Sequence, residues 1–222
     1  NNGGKKKVLA SVLAGLAMIG AGAMGTPVQA GADYGNSSVN IQPNNIPAGY
    51  QGNSVGKNSV AVGYQNTTNN QDGTIAIGMA NTATENSAMA LGNGNTASGG
   101  AATAVGAYNQ ATGRASVAIG NVAKANNLGN IAIGSYAKAL TSGTFINTNN
   151  QVETKGYAVA LGGYAEATEH GTVAVGSISK ASGFKATAVG SGAQATNKQA
   201  TAVGNASVAS GENASAFGYK NK

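Results

Sequence analysis

The feature that most restricts the fold of this chain is a short motif that recurs every 14 residues. Each copy places an alanine between two larger, mostly aliphatic residues and ends in glycine, as in Ile131-Ala132-Ile133-Gly134. The motif glycines are 14 residues apart, except for one step of 15 and one of 28. The motif alanines are Ala61, Ala76, Ala90, Ala104, Ala118, Ala132, Ala160, Ala174, Ala188, Ala202 and Ala216. Eleven copies in register predict a repeat architecture rather than a globular core.

The spacing within each repeat predicts two short β-strands. A second column of small residues lies five residues after the motif glycines, as at Ala125 and Ala139. Alternation by two residues is typical of a strand. Fourteen residues that hold two strands and their turns are too few for a pair of helices, and they fit one coil of a parallel β-solenoid. We therefore predict an all-β fold, a single-chain β-roll in which each strand pairs with its equivalent one coil along.

The composition favours stacked coils and argues against nucleic-acid binding. The chain of 222 residues contains 35 glycines, no Cys, no Trp and only 9 % charged residues. Few large apolar side chains are available for a globular core, and disulfides cannot stabilise the fold. Lys and Arg are dispersed, whereas nucleic-acid binding requires them in clusters.

Residues 1–30 have the three-part pattern of a secretory signal peptide. Lys5, Lys6 and Lys7 precede an apolar run from Val8 to Ala23, and the segment ends in Val-Gln-Ala at Ala30. The pattern predicts a helical leader that is cleaved after Ala30. The alternative is a membrane anchor, although about 20 apolar residues are needed to span a bilayer. Without the leader, ten basic residues face seven acidic ones, for a formal net charge of +3.

The rest of the chain divides according to the repeat. We interpret residues 31–53 as a polar lead-in, residues 54–219 as the roll, and residues 220–222 as a truncated end. The double-length step falls over residues 140–156, which hold either a loop insertion or a degraded coil. The spacing is compatible with both alternatives.

The motif alanine is unexpected on a strand, because alanine is a poor strand former. We expect the larger residues on either side of it to fill the interior of the roll and the alanine to point outward. A solvent-facing strand position would drift toward Thr, Lys or Glu. Uniform smallness on an outer face therefore predicts that all eleven motif alanines lie along the axis of a homotrimer.

Two further columns are candidate ligand-facing surfaces. The residue before the second small column alternates away from the interior, which predicts a solvated outer face. The candidates on this face are Lys124, Lys138 and Lys180. The second column occupies the position two residues after each motif glycine, and its candidates are Tyr108, Tyr136 and Tyr164. The alternative for the lysines is a solubilising face. The alternative for the tyrosines is packing within or between rolls.

No catalytic, cofactor-binding or metal-binding residues are predicted. His170 is the only histidine, and Glu166 and Glu169 lie near it in the sequence. We interpret this group as a solvent-facing turn rather than a metal or acid–base site.

The repeats Ser59–Gly63 (SVAVG), Ser116–Ala125 (SVAIGNVAKA) and Asn130–Ala139 (NIAIGSYAKA) resemble the heads of trimeric autotransporter adhesins, typified by Yersinia adhesin A. The resemblance covers about residues 54–219. It implies a left-handed β-roll, three chains per head, and display on the outer membrane of a Gram-negative bacterium. It also implies adhesion to host matrix proteins such as collagen, to host cells or to other bacteria, with a neck, stalk and anchor beyond this chain. The alternative function is a spacer or surface filament that positions another binding domain.

Overall fold

A computed structural model describes residues 28–30, 38–43, 52–69 and 73–222. Strands and turns make up these residues, and none of them is helical. The strands in the described residues are β1 (Val28–Ala30), β2 (Val39–Pro43), β3 (Val60–Tyr64), β4 (Thr67–Thr68), β5 (Ile75–Met79), β6 (Thr82–Ala83), β7 (Met89–Asn93), β8 (Thr96–Ala97), β9 (Thr103–Ala107), β10 (Gln110–Ala111), β11 (Val117–Asn121), β12 (Lys124–Ala125), β13 (Ile131–Ile133), β14 (Lys138–Ala139), β15 (Thr144–Ile146), β16 (Val152–Thr154), β17 (Val159–Leu161), β18 (Glu166–Ala167), β19 (Val173–Val175), β20 (Lys180–Ala181), β21 (Thr187–Val189), β22 (Gln194–Ala195), β23 (Thr201–Val203), β24 (Val208–Ala209) and β25 (Ser215–Phe217).

The strands form two long sheets that run the length of a β-solenoid. Among the described residues, the eleven motif strands together with β1 and β2 build a 13-stranded sheet, here called sheet A, and the two-residue strands build a 10-stranded sheet B. Pairing is parallel from β2 onward, and equivalent residues face each other, as in Ala118 with Ala132 and Lys124 with Lys138. At about 4.8 Å per coil, the eleven motif strands of sheet A span roughly 50 Å. The predicted stacked roll of 14-residue coils is confirmed.

The predicted leader and polar lead-in are only partly covered by the described residues. The predicted leader lies outside the described residues apart from β1, which pairs antiparallel with β2. Strand β2 falls within the predicted polar lead-in, yet it pairs in parallel with β3 and so extends sheet A.

The motif glycine turns the chain from sheet A into sheet B. Gly92 has a φ of +118°, a conformation that L side chains rarely adopt. A Cβ at this position would also collide with the carbonyl oxygen of Gly106 in the next coil. The glycine column is therefore required by both the backbone turn and the close stacking of the coils.

The predicted orientation of the motif alanines is wrong. Every one of the trimer-axis candidates points into the roll and is 0–1 % exposed in the single chain. These buried candidates are Ala61, Ala76, Ala90, Ala104, Ala118, Ala132, Ala160, Ala174, Ala188, Ala202 and Ala216. The larger residues on either side of each alanine point outward instead. The alanines thus have no surface to offer a neighbouring chain.

The narrowness of the roll explains this reversal. Each coil closes within 14 residues, and the buried positions of sheet B, such as Ala125 and Ala139, are also small. Among the described residues, the largest fully buried side chains are Asn and Thr. Two columns of Val or Ile between such closely spaced sheets would overpack the interior. Size, rather than hydrophobicity alone, therefore decides which residues are buried.

A ladder of buried asparagines lines the corner between the sheets in the amino-terminal coils. The Asn95 side-chain amide donates to the Leu91 carbonyl (2.9 Å) and to the Gly106 carbonyl of the next coil (2.7 Å). Its oxygen accepts hydrogen bonds from the backbone and side-chain amides of Asn109. The ladder ends where Asn109 accepts a bond from the Ala123 backbone N–H at 2.8 Å. The buried members with these bonds are Asn66, Asn81, Asn95 and Asn109, and the half-buried Asn53 begins the ladder.

The double-length step is an insertion and not a degraded coil. Strand β13 pairs directly with β17, so the stack continues without a gap. Strands β15 and β16 form an antiparallel hairpin that is separate from both long sheets. The hairpin leaves the corner at which sheet B returns to sheet A, because it follows β14 and precedes β17.

Candidate binding surfaces

The outer face of sheet A carries two columns of mostly aliphatic side chains. One column begins each motif and the other follows the motif alanine. The second column consists of Val62, Ile77, Leu91, Val105, Ile119, Ile133, Leu161, Val175, Val189, Val203 and Phe217. These side chains are half-buried or exposed in the single chain, with Ile77 and Ile133 each 38 % exposed. A contiguous apolar face of this length marks an interaction surface.

The outer face of sheet B is polar and mostly cationic at its centre. Lys124, Lys138, Glu166 and Lys180 occupy equivalent positions on successive coils. Lys138 Nζ lies 2.8 Å from Glu166 Oε1, and both side chains remain partly exposed. The candidate lysines thus lie on one outward ladder, as the alternation predicts. Glu166 is the acidic residue among these four positions, and it forms an ion pair with Lys138.

The candidate tyrosines lie at the corner where sheet A turns into sheet B. This surface, here called the tyrosine stripe, consists of Tyr108, Val122, Tyr136, Tyr164 and Ile178. All five have φ between 56° and 59°, so the corner turns through a left-handed residue in each coil. The rings of Tyr136 and Tyr164 stack with centroids 5.0 Å apart and planes 10° apart. The stripe is a largely exposed apolar column beside the lysine face.

An aromatic cluster attaches the hairpin to the opposite corner. The Phe145 ring lies 4.2 Å from the His170 ring and 5.5 Å from the Phe184 ring, measured between centroids. His170 and Phe184 stack at 5.4 Å because they occupy equivalent positions on adjacent coils. Lys155 and Glu169 form an ion pair of 2.7 Å beside the cluster. His170 thus lies in a turn, as predicted, but its ring is half-buried against Phe145 and Phe184 rather than facing solvent alone.

The electrostatic surroundings of His170 favour its neutral form. Burial is the main cause that lowers its pKa, and the charge of Lys185 lowers it further. Lys155 acts in the same direction, while Glu153 and Glu169 oppose it. The Gly156 backbone N–H donates to His170 Nδ1 at 3.3 Å, an acceptor that protonation would remove. A cleft of about 340 Å³ opens between the hairpin and Phe184.

The described part of the chain shows no group suited to metal chemistry and no membrane-crossing helix. No three His, Cys, Asp or Glu residues come together there in a way that could hold a metal ion. No helix in these ranges is long and apolar enough to cross a bilayer.

Sequence reasoning missed two structural groups. The asparagine ladder is visible as a column three residues after the motif glycine, and a comparison of columns would have found it. The aromatic cluster joins Phe145, in the insertion, to His170 and Phe184 on the coils. The 14-residue spacing of His170 and Phe184 predicts that they stack, but no spacing places Phe145 against them.

A stack of two-stranded coils with an interior of small residues and long outward columns defines a β-solenoid repeat protein that presents surfaces. Six segments of the chain match the model of the YadA head domain repeat, over residues 54–81, 83–109, 111–137, 154–177, 181–207 and 195–221. The chain therefore belongs to the YadA head family, which forms adhesin heads of trimeric autotransporters on bacterial cell surfaces. The family is one of adhesins rather than enzymes, and its heads trimerise and bind host factors. A comparison with curated proteins found no match.

Proposed function

We propose that this chain is the head of a homotrimeric surface adhesin that attaches a bacterium, without catalysis, to host matrix proteins, host cells or other bacteria. Collagen-like proteins are the first matrix ligands to test. The observation that carries the proposal is the pair of long outward surfaces on opposite sheets. One is apolar and suited to self-association, and the other is charged and suited to a ligand.

The aliphatic face of sheet A is the proposed trimer interface and replaces the alanine columns in that role. Its second column remains apolar through all eleven coils, from Val62 to Phe217. Three such faces that meet along an axis would remove these side chains from water at about 25 cal/mol per Å² of apolar surface. Cyclic symmetry closes the assembly, so the interface does not propagate into fibres.

The outer face of sheet B is the proposed ligand surface. In a trimer with sheet A toward the axis, sheet B faces solvent, and its ladder of Lys124, Lys138 and Lys180 is repeated three times. Tyr108 lies beside this ladder and is 59 % exposed, which suits an aromatic contact. Three weak sites that engage one extended ligand together bind far more tightly than one site.

We also propose that residues 1–30 direct export and that the head is displayed at the outer surface of a Gram-negative cell. The leader pattern supports the first statement, and the family supports the second. The competing function is a rod that positions another domain. The regular coils support it, because a stack of nearly identical units makes a spacer of defined length.

Solid-phase binding of the 222-residue chain to collagen, other matrix proteins and host cells tests the adhesive function. We would compare the chain alone with the chain fused to a trimerising coiled coil.

The triple variant K124Q, K138Q and K180Q tests the sheet B site. It should weaken binding at least tenfold, because three positive charges are removed from each copy of the face. The matched control is K198Q, K220Q and K222Q, which removes the same charge elsewhere. Failure of every unsubstituted form to bind would contradict adhesion and favour the spacer. Equal loss in both triple variants would contradict the sheet B site.

A further inference from the structure

The hairpin of β15 and β16 has one face on the roll and one face in solvent. Phe145 packs against His170, whereas Ile146 and Val152 point the other way. Ile146 and Val152 face each other across the two strands and are 66 % and 70 % exposed. A two-stranded hairpin is stable only when it packs against a further layer. Phe145 makes that contact on one face. The Ile146 and Val152 pair leaves the other face apolar and uncovered.

A second apolar patch lies on the same coils at the opposite edge of sheet A. Tyr164 and Ile178, in the tyrosine stripe, are 58 % and 66 % exposed. They border a cleft of about 370 Å³ that is also lined by Glu166, Ser179, Lys180 and Gln194.

The heights of the two patches along the rod match. The hairpin rests on His170 and Phe184, which directly precede β19 and β21. Tyr164 and Ile178 directly follow β17 and β19. Both patches are thus at the level of coils β17 to β21, one at the start and one at the end of the sheet A strands.

Threefold symmetry brings these two edges together. The sheet A strands run across the rod, so when this sheet faces a threefold axis, the strand-start corner of each chain lies beside the strand-end corner of its neighbour. Rotation about the axis keeps every coil at its own height. The hairpin of one chain is then next to the stripe cleft of the next chain, so the apolar pair on the hairpin lies beside Tyr164 and Ile178 at the border of that cleft.

We propose that Ile146 and Val152 of each chain insert beside Tyr164 and Ile178 of the neighbouring chain, so that the hairpin clasps the trimer at its rim. The contact is head-to-tail around the ring and closes after three copies. This inference rests on the trimer proposed above. It also assigns Tyr164, with Tyr136 stacked beneath it, to packing between rolls, and it leaves Tyr108 for ligand.

Disulfide trapping tests the clasp directly, because the chain contains no cysteine. The double variant V152C and I178C, oxidised under native conditions, should run as a covalent trimer on non-reducing gels. The matched control V152C and Y108C places the second thiol four coils along the same stripe, about 19 Å away. Disulfides require Cα atoms closer than about 7 Å, so the control should not cross-link. The single variant V152C should not cross-link either.

Sedimentation of the reduced proteins separates the possible failures. A trimer in which V152C and I178C do not cross-link would overturn the clasp and leave the proposed function intact. A monomer at every concentration would overturn the trimer itself, and the clasp with it.

A second variant covers the case in which the double cysteine protein does not fold. V152D places a charge in the proposed contact and should raise the trimer dissociation constant at least tenfold. N149D adds the same charge at the exposed hairpin turn and should leave the constant unchanged. Equal constants for V152D and the unsubstituted chain would overturn the clasp.

Discussion

Single residues in this roll are constrained mainly by the space around them. Ala132 lies between Ala118 and Ala160 in the register of sheet A and is fully buried. Asn95 is equally buried but has polar partners above and below it. Side-chain size restricts which residues fit at position 132, and hydrogen bonding restricts which residues fit at position 95. Each restriction predicts the effect of a substitution on stability.

We expect Ala132→Leu to lower the free energy of unfolding by about 3 kcal/mol, because three added carbons overpack a closed interior. Thr96→Leu places the same side chain on the outer face of sheet B and should change stability by only about 0.5 kcal/mol. Urea titration followed by circular dichroism measures both. A tolerated leucine at position 132 would contradict the interior position of the motif alanines.

We expect Asn95→Ala to cost about 2–3 kcal/mol, since several buried hydrogen bonds are lost and the Asn109 amide groups lose their acceptor. Asn149→Ala, in the exposed hairpin turn, is the matched control and should be nearly neutral. The same urea titration compares them. Similar effects of the two substitutions would show that the ladder contributes little stability.

At the scale of elements, the hairpin is a part of the structure that the repeat does not specify. Its attachment depends on Phe145 against His170 and on the Gly156 N–H bond to His170 Nδ1. Because burial and Lys185 lower the pKa of His170, the folded state favours the neutral imidazole. The stability from this group is therefore present above the unfolded pKa of about 6.5 and is lost as the pH falls toward the lower folded pKa.

We expect hydrogen-exchange protection of residues 144–154, corrected for intrinsic rates, to fall between pH 7.5 and pH 5. The coil strands should keep their protection over the same range. His170→Phe retains a ring between Phe145 and Phe184 but cannot be protonated, so its hairpin protection should not depend on pH. A pH dependence that persists in this variant would contradict the role of His170.

At the scale of the whole molecule, the chain presents an apolar sheet on one side and a polar sheet on the other. A coil alone buries only small side chains, so the stack gains stability from neighbouring coils and from its long ladders of backbone bonds. The remaining apolar surface lies outside the roll. This distribution is the physical reason to expect association between rolls.

We expect Val189→Lys to convert the proposed trimer into monomers at micromolar concentration, because it would place a charge in the proposed interface on each chain. Gln110→Lys adds the same charge on the outer face of sheet B and should leave the trimer intact. Sedimentation velocity at several concentrations measures both. A Val189→Lys protein that remains trimeric would contradict the sheet A interface.

The sequence by itself determined the coil. The 14-residue period, the glycine at each corner and the alternation at positions such as Ala139 and Lys138 predict stacked parallel strands, because each of these signals is local and is repeated many times. The lysine ladder followed from the same register. The match to the family rests on these residues as well.

Only the tertiary structure decided which side of sheet A is the interior. Alternation separates Ala132 from Ile131 and Ile133, but the period is the same whichever set is buried. The distance between the two sheets breaks this symmetry, and it depends on side chains from both sheets and from adjacent coils. The contact of Phe145 with His170 was likewise beyond the sequence, because an insertion carries no period that could fix its register against the roll.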